Sequence, residues 1–244
     1  MNSRLMVLVK GELYRLNKYN MTFISVLLAF VWGVMLYFVN ADFLATLLPI
    51  VILIDATMMS LMYVGAVMYF EKSESTISTM LVTPVTNSEL LLSKLLANTL
   101  HNMFSSALLI LVFVVIKDVQ VHYFLLFLGI FVATISHTLI GIVMAYFSKD
   151  FTGVLMMVMT FSMIMMAPYI LLMLNIISGE FWELVLLINP IQSAGEIINA
   201  GFKGTIITYK YYLSLGYLSF GSILLYKLYA LPKFQNYAVK QSGV

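Results

Sequence analysis

The chain alternates long apolar stretches with short polar joints. Apolar runs at 21–39, 46–70, 95–116, 122–147, 152–177 and 209–231 each approach or exceed the roughly 20 helical residues needed to cross a hydrocarbon layer about 30 Å thick. They predict an all-α integral membrane protein, six transmembrane helices forming one domain over residues 1–244. Ahead of the first run, Leu5, Met6, Val9, Leu13 and Leu16 fall on one arc of a helical wheel. Arg4, Lys10, Arg15 and Lys18 take the other side, so residues 1–20 read as an interfacial helix on anionic headgroups. Residues 180–202 are also apolar, but Asn189-Pro190 interrupts them and Glu196 follows, leaving each half too short to cross. Two readings stand for this segment, a re-entrant hairpin on the outer side or an ordinary amphipathic external loop.

Charge orients the runs. With the N-terminus in the cytoplasm, Arg4, Lys10, Arg15, Lys18, Lys72, Lys94, Lys149, Lys227, Lys233 and Lys240 share that side. Only Lys117, Lys203 and Lys210 are left outside, and a seventh span would move the C-terminal lysines there against the positive-inside rule. Both termini are therefore expected in the cytoplasm of a cell (plasma) membrane protein. Hydrophobic residues are 62% and charged ones 10% of the chain, which leaves no room for a second, soluble domain. A net charge of +2 gives no footing for nucleic acid. Cysteine is absent, so disulfides, thiolate metal sites and cysteine nucleophiles are excluded. About 20 residues precede a full-length first run, which is expected to stay as an anchor rather than be cleaved as a signal peptide.

The longest cytoplasmic joint between runs is 71–94. Within it Ile77, Met80 and Leu81 recur at helical spacing beside hydroxyl and charged side chains, which predicts a short amphipathic helix. Thr83-Pro84 then forces an extended or turned backbone before Asn87 or Ser88 caps the next helix, with Glu89 in its first turn. A joint of this shape suits docking of a cytoplasmic partner. On Glu71, Thr76, Thr83, Pro84 and Val85 the chain resembles the permease subunit of a type-2 ATP-binding-cassette (ABC) exporter. In that family the second span runs into a segment Glu-x-x-x-x-Thr, then four or five residues, a hydrophobic position and Thr-Pro-Val. The order of the other elements is similar too, and Asn189-Pro190 resembles the family's own break. Ser75 departs from the pattern, since many members carry glycine before the threonine.

The resemblance implies that residues 1–20 form the elbow helix and that the cytoplasmic segment 71–88 couples to the ATPase. Its contact residues would be Glu71, Glu74, Thr76, Ile77, Met80, Leu81, Thr83 and Pro84. The hairpin at 180–202, with Asn189, Pro190 and Glu196, would close the outer gate. The partners implied are a cytoplasmic ABC ATPase, a second permease copy or paralogue, and membrane lipid. No Gly-x-x-x-x-Gly-Lys-Ser/Thr loop occurs, so the chain is expected to bind no cofactor and to have no ATPase activity of its own, ATP and Mg residing on the partner. Neither His-Glu-x-x-His nor Gly-x-Ser-x-Gly occurs, so no catalytic residue and no metal ligand is assigned.

Asp55 is the one carboxylate deep in an apolar run, and it shares a face with Met59 and Met62. These three are pathway candidates, although a structural carboxyl held by a neighbour's Ser or Thr fits equally well. Seven methionines crowd the fifth run, Met156, Met157, Met159, Met163, Met165, Met166 and Met173, surrounding the helix rather than striping it. Such side chains accept varied apolar partners. The function expected is ATP-driven export of an amphipathic drug, peptide or lipid. The alternatives are an ion- or proton-coupled secondary carrier, with Asp55 and His137 as its coupling pair, and a membrane peptide-immunity or receptor subunit.

Overall fold

The structure is a computed structural model that describes residues 3–39, 41–116, 120–202 and 207–239. Among these residues the regular structure is helical apart from one isolated bridge, Val121 to Phe202. Helix α1 (Ser3–Lys18) turns by 60° into α2 (Met21–Tyr37) through Asn20, whose φ of 63° is left-handed. Next comes a continuous helical run: α3 (Ala41–Ile54), a π-helical turn at Asp55–Met59, and α4 (Ser60–Ser73). A short α5 (Thr76–Leu81) follows, then α6 (Asn87–Ile116), α7 (Tyr123–Phe147) and α8 (Phe151–Met173). The remainder is α9 (Glu180–Val185), a 3₁₀ turn at Leu186–Ile188, α10 (Pro190–Asn199), α11 (Tyr209–Leu225), a second π-helical turn at Tyr226–Ala230, and α12 (Leu231–Val239). That second turn lies just before Pro232, which has no N–H for the helical ladder.

Helices α1, α5 and α12 gather at one end of the bundle, here the proximal end, and α9 and α10 occupy the distal end. Among the described residues, α2, α3–α4, α6, α7, α8 and α11 run between the two ends. By length and composition, four helices among the described residues are able to cross a membrane: Leu47–Ser73, Asn87–Val115, Tyr123–Phe147 and Phe151–Met173. The bent pair α1–α2 raises this to five. The fifth expected run ends early, because Asn175 at φ 54° turns the chain after Met173. The last run extends further than expected, with Phe234, Tyr237 and Ala238 of α12 buried against Met68, Ile77 and Leu90.

Helix α7 is the central post, packed by α4, α6, α10 and α11. Gly129 allows this on one side, since a Cβ there would sit 2.7 Å from the Ile197 carbonyl oxygen of α10. Gly141 does the same on the other, where a Cβ would meet the Leu61 backbone at 3.1 Å. Helix α8 is the opposite case. Only 28% of its apolar window is buried against 67% for α7, so most of its surface is left for lipid or another chain. Its methionines surround the helix, as the sequence suggested: Met156, Met159 and Met163 are exposed at i, i+3 and i+7, Met157 and Met165 are half-buried, and Met166 is buried.

Candidate functional site

The joint between α4 and α6 is built by local chemistry. Ser75 takes a left-handed φ of 56° at the start of α5, the conformation that glycine would adopt without steric cost. Thr83 Oγ1 donates to the Met80 carbonyl (2.6 Å) and closes the far end of the helix. The next helix is capped by Thr86 rather than by Asn87 or Ser88. Glu89 Oε2 accepts from Thr86 N at 2.9 Å, and Glu89 N donates back to Thr86 Oγ1 at 3.2 Å, a reciprocal capping box. Pro84 is held from outside the joint, its carbonyl accepting from Arg4 of α1 at 3.2 Å.

Helix α5 has an inward and an outward side. Ile77 is fully buried beside Met68, Leu90 and Phe234, so it anchors α5 to the bundle. Met80 and Thr76 are half-buried, with Met80 Sδ 3.9 Å from Arg15 Nη2. Glu74, Thr79, Val82, Thr83 and Pro84 face outward, and Val82 is 85% exposed. The side chain of Leu81 lies outside the described residues.

Glu71 sits beneath this joint with no exposure, in a cluster of two acids and two bases. Lys94 Nζ of α6 lies 2.9 Å from Glu12 Oε1 of α1 and is also ion-paired to Glu71. Arg15 lies 3.1 Å from Glu12 and, as a close ionic contact rather than an aligned hydrogen bond, 2.9 Å from Glu71 Oε1. The four formal charges cancel, which is what makes them tolerable in an interior. Burial works against ionised Glu12, yet Lys94 and Arg15 outweigh it and hold its carboxyl below the usual range. One turn outward, Glu74 accepts from Lys18 Nζ and Tyr19 Oη, each at 2.9 Å, and these bonds depress its pKa as well. The contributions of Glu12 and Glu74 are complete above their unfolded values and are lost as pH falls through the lowered ones. The result is a clamp joining α1, the end of α4 and the start of α6 directly under α5.

Asp55 lies on the first π-helical turn, 4% exposed, accepting from Ser105 Oγ (2.8 Å) and Ser106 Oγ (2.5 Å) of α6. Met59 packs beside Tyr63 and Met21, and Met62 beside Val154 and Val158. His137 Nδ1 is bonded to the Ala133 carbonyl at 2.8 Å and makes no hydrogen bond to Asp55 among the described residues. Between them runs a polar ladder in which Asn98 Nδ2 donates to Thr138 Oγ1 (2.8 Å) and to the Ser60 carbonyl (3.1 Å). Such bonds hold helices together where no water competes.

At the distal end, Asn189 caps α10. Its Oδ1 accepts from Ile191 N at 2.9 Å, and Nδ2 reaches the Met165 carbonyl of α8 at 2.6 Å, while Pro190 fills the first helical position. The break is therefore level with Met165, eight residues or about 12 Å below the end of α8. Tyr217, eight residues into α11, donates to the Ile188 carbonyl at 2.6 Å, which places the break at the same depth by a second route. The chain then returns, since His122 N, at the distal end of α7, donates to the Gly201 carbonyl at 2.7 Å. Helix α10 is packed by α3, α7, α8 and α11, and Glu196 on it is half-buried.

The charge clamp is what the sequence reading missed, and its signal was present. Glu12 interrupts the apolar arc between Val9 and Leu16, and Lys94 stands one residue before the third apolar run. Lys117, Lys203 and Lys240, used above for orientation, lie outside the described residues. Among the described residues no group of His, Cys, Asp and Glu side chains is placed to hold a metal ion. No curated protein matches the chain. The model of one family, described as ABC-2 family transporter protein, matches residues 15–231, from Arg15 of the clamp through α11 and the turn after it. The chain therefore belongs to the ABC-2 transporter family, as a transmembrane permease of the ABC transport machinery.

Proposed function

We propose that this chain is the membrane half of an ATP-driven exporter, paired with a second permease copy or paralogue and driven by two cytoplasmic ATPase subunits docked on α5. The observation that carries this reading is the clamp under α5. Buried ion pairs lock α1, α4 and α6 together directly beneath α5, which Ile77 anchors to the bundle, so force applied at Val82 and Thr83 reaches the bundle instead of being absorbed by a loop. An ATPase shifts the bundle only to the extent that it binds its two arrangements differently. The exposed Met156, Met159 and Met163 of α8 support a greasy path or permease contact, suited to an amphipathic drug, peptide or lipid. In this reading the six passes are six spans, the proximal end is cytoplasmic and α1 is the elbow helix on the inner leaflet.

The carrier reading is the less supported, because Asp55 and His137 make no hydrogen bond to each other among the described residues, Asp55 accepting from Ser105 and Ser106 and His137 Nδ1 bonding to the Ala133 carbonyl. The test uses inside-out vesicles containing the chain and its cytoplasmic ABC ATPase partner. A fluorescent amphipathic cargo is expected to accumulate only with ATP and Mg and to be indifferent to a proton ionophore. Accumulation that survives ATP depletion and collapses with the ionophore would overturn the exporter in favour of the carrier.

The hairpin α9–α10 is proposed to be re-entrant from the outside and to act as the outer gate. The depth of Asn189, about 12 Å by both α8 and α11, supports this, since the 23 residues of α8 extend about 35 Å. Single cysteines placed in this cysteine-free chain at Ser178 and Ile207 are expected to react with an impermeant thiol reagent on intact cells. One at Thr79 is expected to react only after permeabilisation. Reaction of one distal position without the other would make α9–α10 a spanning segment and reverse α11.

A further inference from the structure

Beside the hairpin is a cavity of about 230 Å³ between the end of α8, the loop after it, α10 and the start of α11. Its charged groups are Glu183, Lys210 and Glu196, and Glu183 and Lys210 are already ion-paired to each other. Glu196 feels the Lys210 charge that Glu183 already holds but makes no ion pair of its own among the described residues, where its carboxylate accepts only from Thr208 Oγ1, at 3.5 Å, the limit of a hydrogen bond. Gln192 also lines the cavity. It is 9% exposed, and its Oε1 has no hydrogen-bond partner among the described residues. Both unmet groups are acceptors, and a buried acceptor left empty costs free energy that a donor in the cavity would recover. Leu172 and Ile177 supply an apolar wall next to them.

We propose that this cavity is a binding site for a primary ammonium group carried on an apolar stem, with Glu196 as its counter-ion and Gln192 as an additional hydrogen-bond acceptor. The site is built from the same hairpin as the outer gate, so its place in transport rests on the exporter reading, whereas the binding itself does not. An ammonium donates up to three hydrogen bonds and neutralises Glu196, while an alcohol of the same size donates one and leaves the carboxylate uncompensated. A six-carbon stem distinguishes the two.

The test is calorimetric titration of n-hexylammonium and of n-hexanol into the full chain, held without ATPase or nucleotide in nanodiscs of phosphatidylglycerol and phosphatidylcholine. Empty nanodiscs serve as the blank. Hexylammonium is expected to bind saturably and about tenfold or more tighter than hexanol. Glu196→Gln is expected to remove about that factor, and Gln192→Leu to weaken hexylammonium by about threefold to fivefold. Absence of saturable binding, equal affinities for amine and alcohol, or an unchanged affinity in Glu196→Gln would overturn the site. The wild-type contrast stands even where a variant fails to fold. Repeating the titration with phosphatidylethanolamine in the nanodiscs separates the natural sources of the group. Competition assigns the site to a lipid headgroup, and an unchanged titration assigns it to the amine of a transported molecule; both uphold the ammonium site. Because no ATPase is present, failure here leaves the vesicle test of export untouched.

Discussion

Lys94→Met is expected to destabilise the proximal end more than any other single substitution in the bundle. Lys94 stands between Glu12 and Glu71, and removing its ammonium leaves two buried carboxylates facing the single cation of Arg15. Breaking a buried pair by deleting one partner costs about 3–5 kcal/mol, because the charge that remains is uncompensated. The compensating variant makes the argument specific. Glu12→Gln combined with Lys94→Met returns the cluster to one acid and one base, Glu71 and Arg15, and is expected to recover much of the loss. Thermal unfolding in detergent, followed by fluorescence-detected size exclusion, measures both. If the double variant is as unstable as the sum of its single changes, the four groups do not act as one cluster, and the clamp is not the link between α1 and α6.

This cluster also marks where the sequence stopped being legible. Helix periods and lengths identified the runs that became α2, α3–α4, α6, α7, α8 and α11, because an apolar run of 20 residues has few alternatives. The break at Asn189-Pro190 was equally readable, since proline at the first helical position and asparagine before it are local devices. Which faces meet was not readable. Arg15 was placed on the headgroup side of α1 by its charge, and it turned inward because Glu71, more than 50 positions away, supplies its counter-ion. Ile77 was expected on the partner-facing side of α5 with Met80 and Leu81. It is buried because α12, which no apolar run announced, continues the last helix beneath the joint. Asp55 was left between two roles, and only the serines on α6 show which group it bonds.

The outward side of α5 carries the second large effect. Val82 is an aliphatic side chain 85% exposed beside Thr79 and Thr83, at the tip of a segment otherwise satisfied internally. If the ATPase docks there, Val82 sits in the dry centre of the contact. Val82→Asp would then bury a charge that loses its water and gains no partner, a change worth about 2 kcal/mol or more at an interface centre. That corresponds to roughly 30-fold weaker association. The ATPase is expected to be lost from complexes purified through the permease, while the permease itself remains inserted and its unfolding temperature holds, since Val82 has no core to disturb. Ile77→Asp provides the opposite pattern. It places a carboxylate among Met68, Leu90 and Phe234, and it is expected to lower the unfolding temperature even when no ATPase is present. Undiminished recovery of ATPase with Val82→Asp, in a preparation where Ile77→Asp is unstable, would show that α5 belongs to the core alone and that the ATPase docks elsewhere.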